Sequence, residues 1–151
     1  MDNLGRTEES PWVTFDYEKD MYQSLSSYFS PNRTELTLLS NSLRFAAVES
    51  LLLHTRIMAD ILLSRDSSQD AIRLTDLLPG FTPSKLNKLK EEYGSGSEFE
   101  SPCWTLNKML AHPTTLRLRS YDYTPIMKML GPIIDSIITE IDEERVKRNS
   151  V

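Results

Sequence analysis

Side chains capable of chemistry are scarce in this chain. Its 151 residues include one cysteine, Cys103, and two histidines, His54 and His112. A lone cysteine excludes an internal disulfide, and one cysteine with two histidines is too small a set for a structural zinc centre. The five glycines build no G-x-x-x-x-G-K phosphate loop, and no other motif calls for a metal or a cofactor. No apolar run approaches the roughly 18 residues of a membrane span, and residues 1–10 are polar and acidic rather than a basic lead into an apolar signal core. The expectation is a cytoplasmic protein with no membrane partner. A net charge of −5 argues against coating nucleic acid by bulk electrostatics, though it leaves a local basic groove open. Lys85, Lys88 and Lys90 form one cluster and Arg117 with Arg119 another; runs of this kind are mostly solvated faces.

What is present is helical periodicity. A hydrophobic fraction of 39% supports one core, and the expected organisation is a disordered tail over residues 1–12 followed by a single domain over 13–148. Phe15, Met21, Tyr22, Leu25, Tyr28 and Phe29 recur at three-to-four-residue spacing and predict a first helix ending at Ser30-Pro31. Asn32 with Glu35 resembles a capping box, so a second and longest helix is expected over 33–64. Its stripe of Leu36, Leu39, Leu43, Ala47, Ser50, His54, Ile57 and Ile61 is broadened by Leu38, Phe45, Leu52 and Leu53, which predicts a central helix or one in contact with a second chain.

Beyond a polar loop at 65–70, a short segment over 71–78 closes at Pro79-Gly80. Thr82-Pro83 predicts a cap and first helical residue for a helix reaching Tyr93, and Gly94-Ser95-Gly96-Ser97 reads as a flexible break. Ser101-Pro102 repeats the cap-then-proline device for a helix stopping at His112, because Pro113 disfavours helical geometry in the residue before it. Thr124-Pro125 opens the last helix, whose isoleucine stripe runs from Ile126 to Ile141, with a kink expected at Gly131-Pro132 and a solvated tail over 142–148. Sustained strand alternation is absent, as are internal repeats.

The candidates for chemistry are His54, Arg56, Asn107, Lys108, His112 and Arg117. Imidazole transfers protons near neutral pH, and guanidinium holds phosphate. His112, at a helix C-terminus, would be favoured in its protonated form by the unpaired carbonyls there. A Cys103–His112 nucleophile pair is disfavoured, since nine residues of helix separate them by about 13 Å. Each candidate also has a structural explanation. His54 on an apolar stripe can be a core histidine bonded across helices, and Arg56 can pair with Asp60 or Glu49. Trp104 fits a core or a dimer interface.

Leu53-His54-Thr55-Arg56-Ile57-Met58-Ala59-Asp60 and Leu106-Asn107-Lys108-Met109-Leu110-Ala111-His112, with Thr114 and Arg117, resemble two motifs of a group of small bacterial proteins that look like HEPN-type helical domains. The resemblance covers roughly residues 36–141. It implies an all-α, HEPN-like bundle of four to five helices with a long central helix, often a homodimer, in which polar residues of two long helices meet in a cleft. Many such domains are metal-independent ribonucleases of toxin or defence systems, with an antitoxin as a partner. On that basis His112, His54 and Arg56 would be catalytic, while Asn107, Lys108 and Arg117 would bind the phosphate of RNA or a nucleotide. The chain departs from the nuclease signature of an arginine, four to six intervening residues and then a histidine, because no arginine stands at that separation ahead of His112. The competing expectation is a non-catalytic helical dimerisation or protein-interaction module.

Overall fold

The computed structural model describes residues 10–111 and 122–151, the side chain of Ala111 excepted. These residues form an all-α bundle, and no strand occurs among them. In chain order the helices are α1 (Pro11–Tyr28), α2 (Asn41–Leu62), α3 (Leu74–Leu77), α4 (Leu86–Tyr93), α5 (Pro102–Ala111) and α6 (Thr124–Asn149), with a 3₁₀ turn at Glu35–Leu38 before α2. α1 packs along α2, α5 packs against α2, α4 lies on α6, and α4 also touches α2 and α5. No described helix is long and apolar enough to cross a membrane.

Local chemistry sets most of the boundaries. The Ser10 hydroxyl accepts the Trp12 N–H at 3.4 Å and Pro11 follows at the first helical position, so α1 begins inside the stretch expected to be a tail. Residues 1–9 of that tail lie outside the described residues. The Ser101 hydroxyl accepts the Trp104 N–H at 3.1 Å, and α5 starts at Pro102 as its cap-then-proline pattern predicts. In α6 the Asp122 carboxylate accepts the Thr124 N–H at 2.9 Å. The helix then buries Ile126, Leu130, Ile133, Ile134, Ile137, Ile138 and Ile141, and runs unbroken through Pro132, which lies exposed. Each such aliphatic side chain fully removed from water contributes about 1.5–3 kcal/mol.

Four expectations are corrected. The 33–64 helix is split, because Glu35 does not reach back to cap: Arg33 takes its carboxylate at 2.8 Å through Nη2 and at 3.0 Å through Nε. Leu39 is extended, and the Ser40 hydroxyl caps a fresh helix by accepting the Leu43 N–H at 3.4 Å. The longest helix is therefore α6, with 26 residues against 22 for α2. α4 begins at Leu86 rather than at Pro83, whose carbonyl instead accepts the Leu86 N–H at 3.2 Å. In place of a loose linker, residues 94–101 form a tied turn. There the Ser101 hydroxyl donates to the Ser95 carbonyl at 2.8 Å, and Gly94 takes φ +70°. The expected solvated tail of α6 also makes contacts, Lys19 with Asp142 at 3.1 Å and Arg145 with Asp16 at 2.8 Å, which fasten it to α1.

Candidate functional site

His54 and Arg56 leave α2 on opposite sides, as a two-residue separation on a helix requires. His54 turns toward α1. It is 7% exposed, its Nδ1 donates to Glu18 Oε2 at 2.6 Å, and the Tyr17 ring meets it edge-on with centroids 6.2 Å apart. The next residue, Thr55, is fully buried and returns its hydroxyl to the Leu51 carbonyl at 2.7 Å. This side of the helix is core, with its polar atoms engaged locally.

Arg56 turns toward α4 and α5. Its Nε stands 3.9 Å from Asp60 Oδ2, one turn along the helix. Burial pushes the Asp60 carboxyl above its ordinary range, while the charges of Arg56 and Arg65 pull the other way. Arg65, just past the end of α2, donates to the Gly94 carbonyl at 2.6 Å and lies 3.8 Å from Cys103 Sγ. Its guanidinium sits 5.2 Å from the centre of the Tyr93 ring. The Tyr93 hydroxyl is sealed in the core beside Cys103, with no partner at hydrogen-bonding distance among the described residues. Burial first, then the neighbouring Asp60 and Cys103, drive that phenol well above its ordinary pKa. From α5 the Asn107 amide approaches Cys103 Sγ at 3.7 Å.

The junction of α2, α4 and α5 thus gathers Arg56, Asp60, Arg65, Tyr93, Cys103 and Asn107. Arg56 and Asn107 were legible as candidates from sequence. From sequence Asp60 stands out only as an ion-pair partner and Cys103 only as a lone thiol too far from His112 to pair with it, while Arg65 and Tyr93 carry no signal. The usable signal was i,i+4 spacing, which joins Arg56 to Asp60 and Cys103 to Asn107. Lys108 places its ammonium 6.0 Å from the Trp104 ring centre. His112 and Arg117 lie outside the described residues, as does Thr114. Among the described residues no cluster of three His, Cys, Asp or Glu could hold a metal.

As a phosphate site this junction is poorly furnished. Arg56 faces a carboxylate that would repel an anion, and Arg65 is engaged by a backbone carbonyl. What the arrangement does well is lock the end of α2 onto the turn between α4 and α5. A separate groove of about 630 Å³ opens between the end of α1, the middle of α2 and the start of α6. Phe29, Val48, Leu51, Leu52 and Met127 give it an apolar floor, with Asp122 and Lys128 also among its lining residues. His54, Arg56, Asn107 and Lys108 are not part of it.

The fold and these contacts define the class, an all-α bundle with a polar lock and an apolar groove. No family model, curated protein or solved structure matches the chain. The HEPN-like resemblance therefore rests on its two sequence motifs.

Proposed function

We propose that this chain is a non-catalytic helical interaction module that works by association, with itself first. The observation that carries this reading is the engagement of His54. A histidine 7% exposed and bonded to Glu18 at 2.6 Å is a structural element of the α1–α2 contact, not a proton donor open to a polymer phosphate. Arg56 is likewise occupied by Asp60. Apolar side chains, by contrast, are left in solvent over the start of α2, and that distribution suits a protein whose task is to be covered. On this reading the setting is the cytoplasm.

A second reading has one specific observation in its favour. Arg56 and Asn107, drawn from the two motifs, approach the same polar junction around Cys103 and Tyr93, which is what a HEPN-like metal-independent ribonuclease or RNA-binding relative of a toxin system would require. RNA cleavage needs one group to take the 2′-hydroxyl proton, another to protonate the leaving oxygen, and positive charge at the phosphorane. His112 and Arg117 would have to supply most of this. The experiment that decides is incubation of purified protein, without added metal, with a pool of structured and single-stranded RNAs, alongside His112→Ala. No cleavage by the wild type is expected; cleavage abolished in a folded His112→Ala variant would overturn the association reading in favour of the nuclease.

A further inference from the structure

The chain's one cysteine, Cys103, lies 5% exposed in the first turn of α5. An inert core cysteine is surrounded by apolar groups, whereas hydrogen-bond donors converge on this sulfur. Arg65 reaches in from just past α2 and places Nη1 3.8 Å from Sγ, and Asn107, one turn along α5, places Nδ2 3.7 Å from it. Tyr93 supplies a third donor. Its ring centre is 5.2 Å from the same guanidinium, its side chain is wholly buried, and its hydroxyl lies beside Cys103 without a partner at hydrogen-bonding distance among the described residues. A buried hydroxyl left idle forfeits the bonds it makes in water, a cost that a phenylalanine in its place would avoid. The idle donor thus points to an acceptor that the reduced thiol does not provide, an oxygen atom carried on the sulfur.

We propose that Cys103 is an oxidation site for hydrogen peroxide, forming a sulfenic acid whose oxygen takes the hydrogen bond of the Tyr93 hydroxyl beside the Arg65 guanidinium. The sulfur attacks one peroxide oxygen, so that the S–O bond forms as the O–O bond breaks. Sulfur gives up two electrons to the peroxide, and the thiol proton leaves with the departing hydroxide as water. Arg65 faces the negative charge that develops on that hydroxide. Asp60, whose carboxylate also neighbours Tyr93, has Arg56 and Arg65 set against it. With no second cysteine in the chain, the product cannot close to an internal disulfide, and the burial of Cys103 keeps the thiols of other proteins away. The sulfenic acid therefore persists until a small thiol reduces it. Arg65 also holds the Gly94 carbonyl, so the oxidation bears directly on the turn that joins α4 to α5.

The test treats the folded full chain with hydrogen peroxide at neutral pH, removes the excess with catalase, and then unfolds the protein in urea containing a 1,3-dicarbonyl trap for sulfenic acid. Mass spectrometry of the Cys103 peptide reads the adduct at the sulfur itself, apart from any oxidised methionine. The adduct is expected to form faster in the folded protein than in protein oxidised in urea, where the same thiol is open to the reagent but has lost its donors. Tyr93→Phe, which keeps the ring in the core, should lower the yield of adduct several-fold and raise that of the over-oxidised sulfinic acid, with an unchanged circular dichroism spectrum. Cys103→Ser should give no adduct. A folded thiol that reacts more slowly than the unfolded one overturns the proposal and leaves Cys103 a core residue. Equal yields from the wild type and a folded Tyr93→Phe overturn it too, since the oxygen would then make no use of the idle hydroxyl. The comparison of folded with unfolded wild type decides the matter even where Tyr93→Phe fails to fold.

Discussion

The two halves of α2 differ in burial far more than in composition. From Leu51 to Leu62 the helix buries Leu51, Leu52, His54, Thr55, Met58, Ala59, Ile61 and Leu62. Between residues 41 and 50 no residue is fully buried and only Val48 packs partly against the core, although Leu43, Phe45, Ala46 and Ala47 are apolar too. Helix propensity is satisfied in both halves, and a Ser40 cap starts them as one rod. What separates them is the presence of neighbours: the Glu18 contact, the tied turn at 94–101 and the Thr55–Met127 contact, 3.6 Å from Oγ1 to Sδ, all fall on the second half. Apolar residues at helical spacing show that a helix forms, but not that every turn of it meets a core.

The largest expected effect tests that contrast directly. Leu52→Ala, in the buried half, should destabilise the protein by about 2–5 kcal/mol through lost burial and the cavity left behind. Leu38→Ala, measured by urea unfolding at concentrations where the chain is monomeric, should stay within about 0.5 kcal/mol of wild type. Comparable losses at both positions would remove the distinction between the halves.

Next comes the lock that holds the buried half in place. Gly94 takes φ +70°, and a Cβ there would stand 2.7 Å from Ser101 Cβ and 2.8 Å from a Glu98 carboxylate oxygen. The Gly94 carbonyl also accepts from Arg65. Gly94→Ala should therefore cost about 1–3 kcal/mol. Hydrogen exchange should quicken in residues 51–62 more than in 41–50. Gly80→Ala is the control, because its φ is +77° but nothing lies within 4 Å of the added methyl, so it carries the backbone strain without the clash. Equal losses for the two would show that crowding at Ser101 is not part of the lock.

On the α1 side, Glu18→Leu strips the buried His54 of its partner. The expected loss is about 1–3 kcal/mol, the usual result of leaving a buried polar group unsatisfied. Glu18→Leu with His54→Leu should recover part of it, since removing both members of a buried polar pair is far milder than removing one. Recovery, read from thermal unfolding, would sharpen the assignment of His54 to the core. No loss from Glu18→Leu alone would reopen the imidazole for another role.

Legibility from sequence followed the range of the interactions involved. Ser101-Pro102 and Thr124-Pro125 are decided within four residues, and both helices begin where those pairs predict. The isoleucine stripe of α6 is long enough for its period to be unambiguous, and all its members are buried. Asn32 and Glu35 satisfied the same kind of local rule, yet Arg33 captured the carboxylate and Ser40 did the capping. A short motif is only as strong as the absence of a nearer competitor. The polar junction was half legible: Arg56 and Asn107 stood out by type, but Tyr93 reaches them only through the turn at Gly94, a contact with no trace in helical spacing. The separation of His54 from Arg56 was available all along in their two-residue offset.

The smallest effect concerns the charge at the end of the buried half. Asp60 has its carboxyl raised above the ordinary 3.8 by burial, against the opposing pull of Arg56 and Arg65. A raised folded-state pKa means that the folded protein binds the proton more tightly than the unfolded chain, so this contribution is fully present below 3.8 and is lost as the pH climbs through the raised value. At neutral pH the ionised Asp60 is thus held at a cost, which should be less than about 1 kcal/mol because the side chain is partly exposed and screened. Asp60→Asn removes the ionisation while keeping the shape. Its melting temperature should exceed that of wild type at neutral pH, and the difference should shrink as the pH falls toward the ordinary carboxylate range. Exposed Glu35, Asp66 and Asp122 in the single chain have lowered values, so their contribution runs the opposite way and is common to both proteins. If Asp60→Asn is instead the less stable protein at neutral pH, the Arg56–Asp60 pair outweighs the burial of its carboxylate. The junction of α2, α4 and α5 would then be held by charge, and the contrast between the two halves of α2 would be electrostatic as well as apolar.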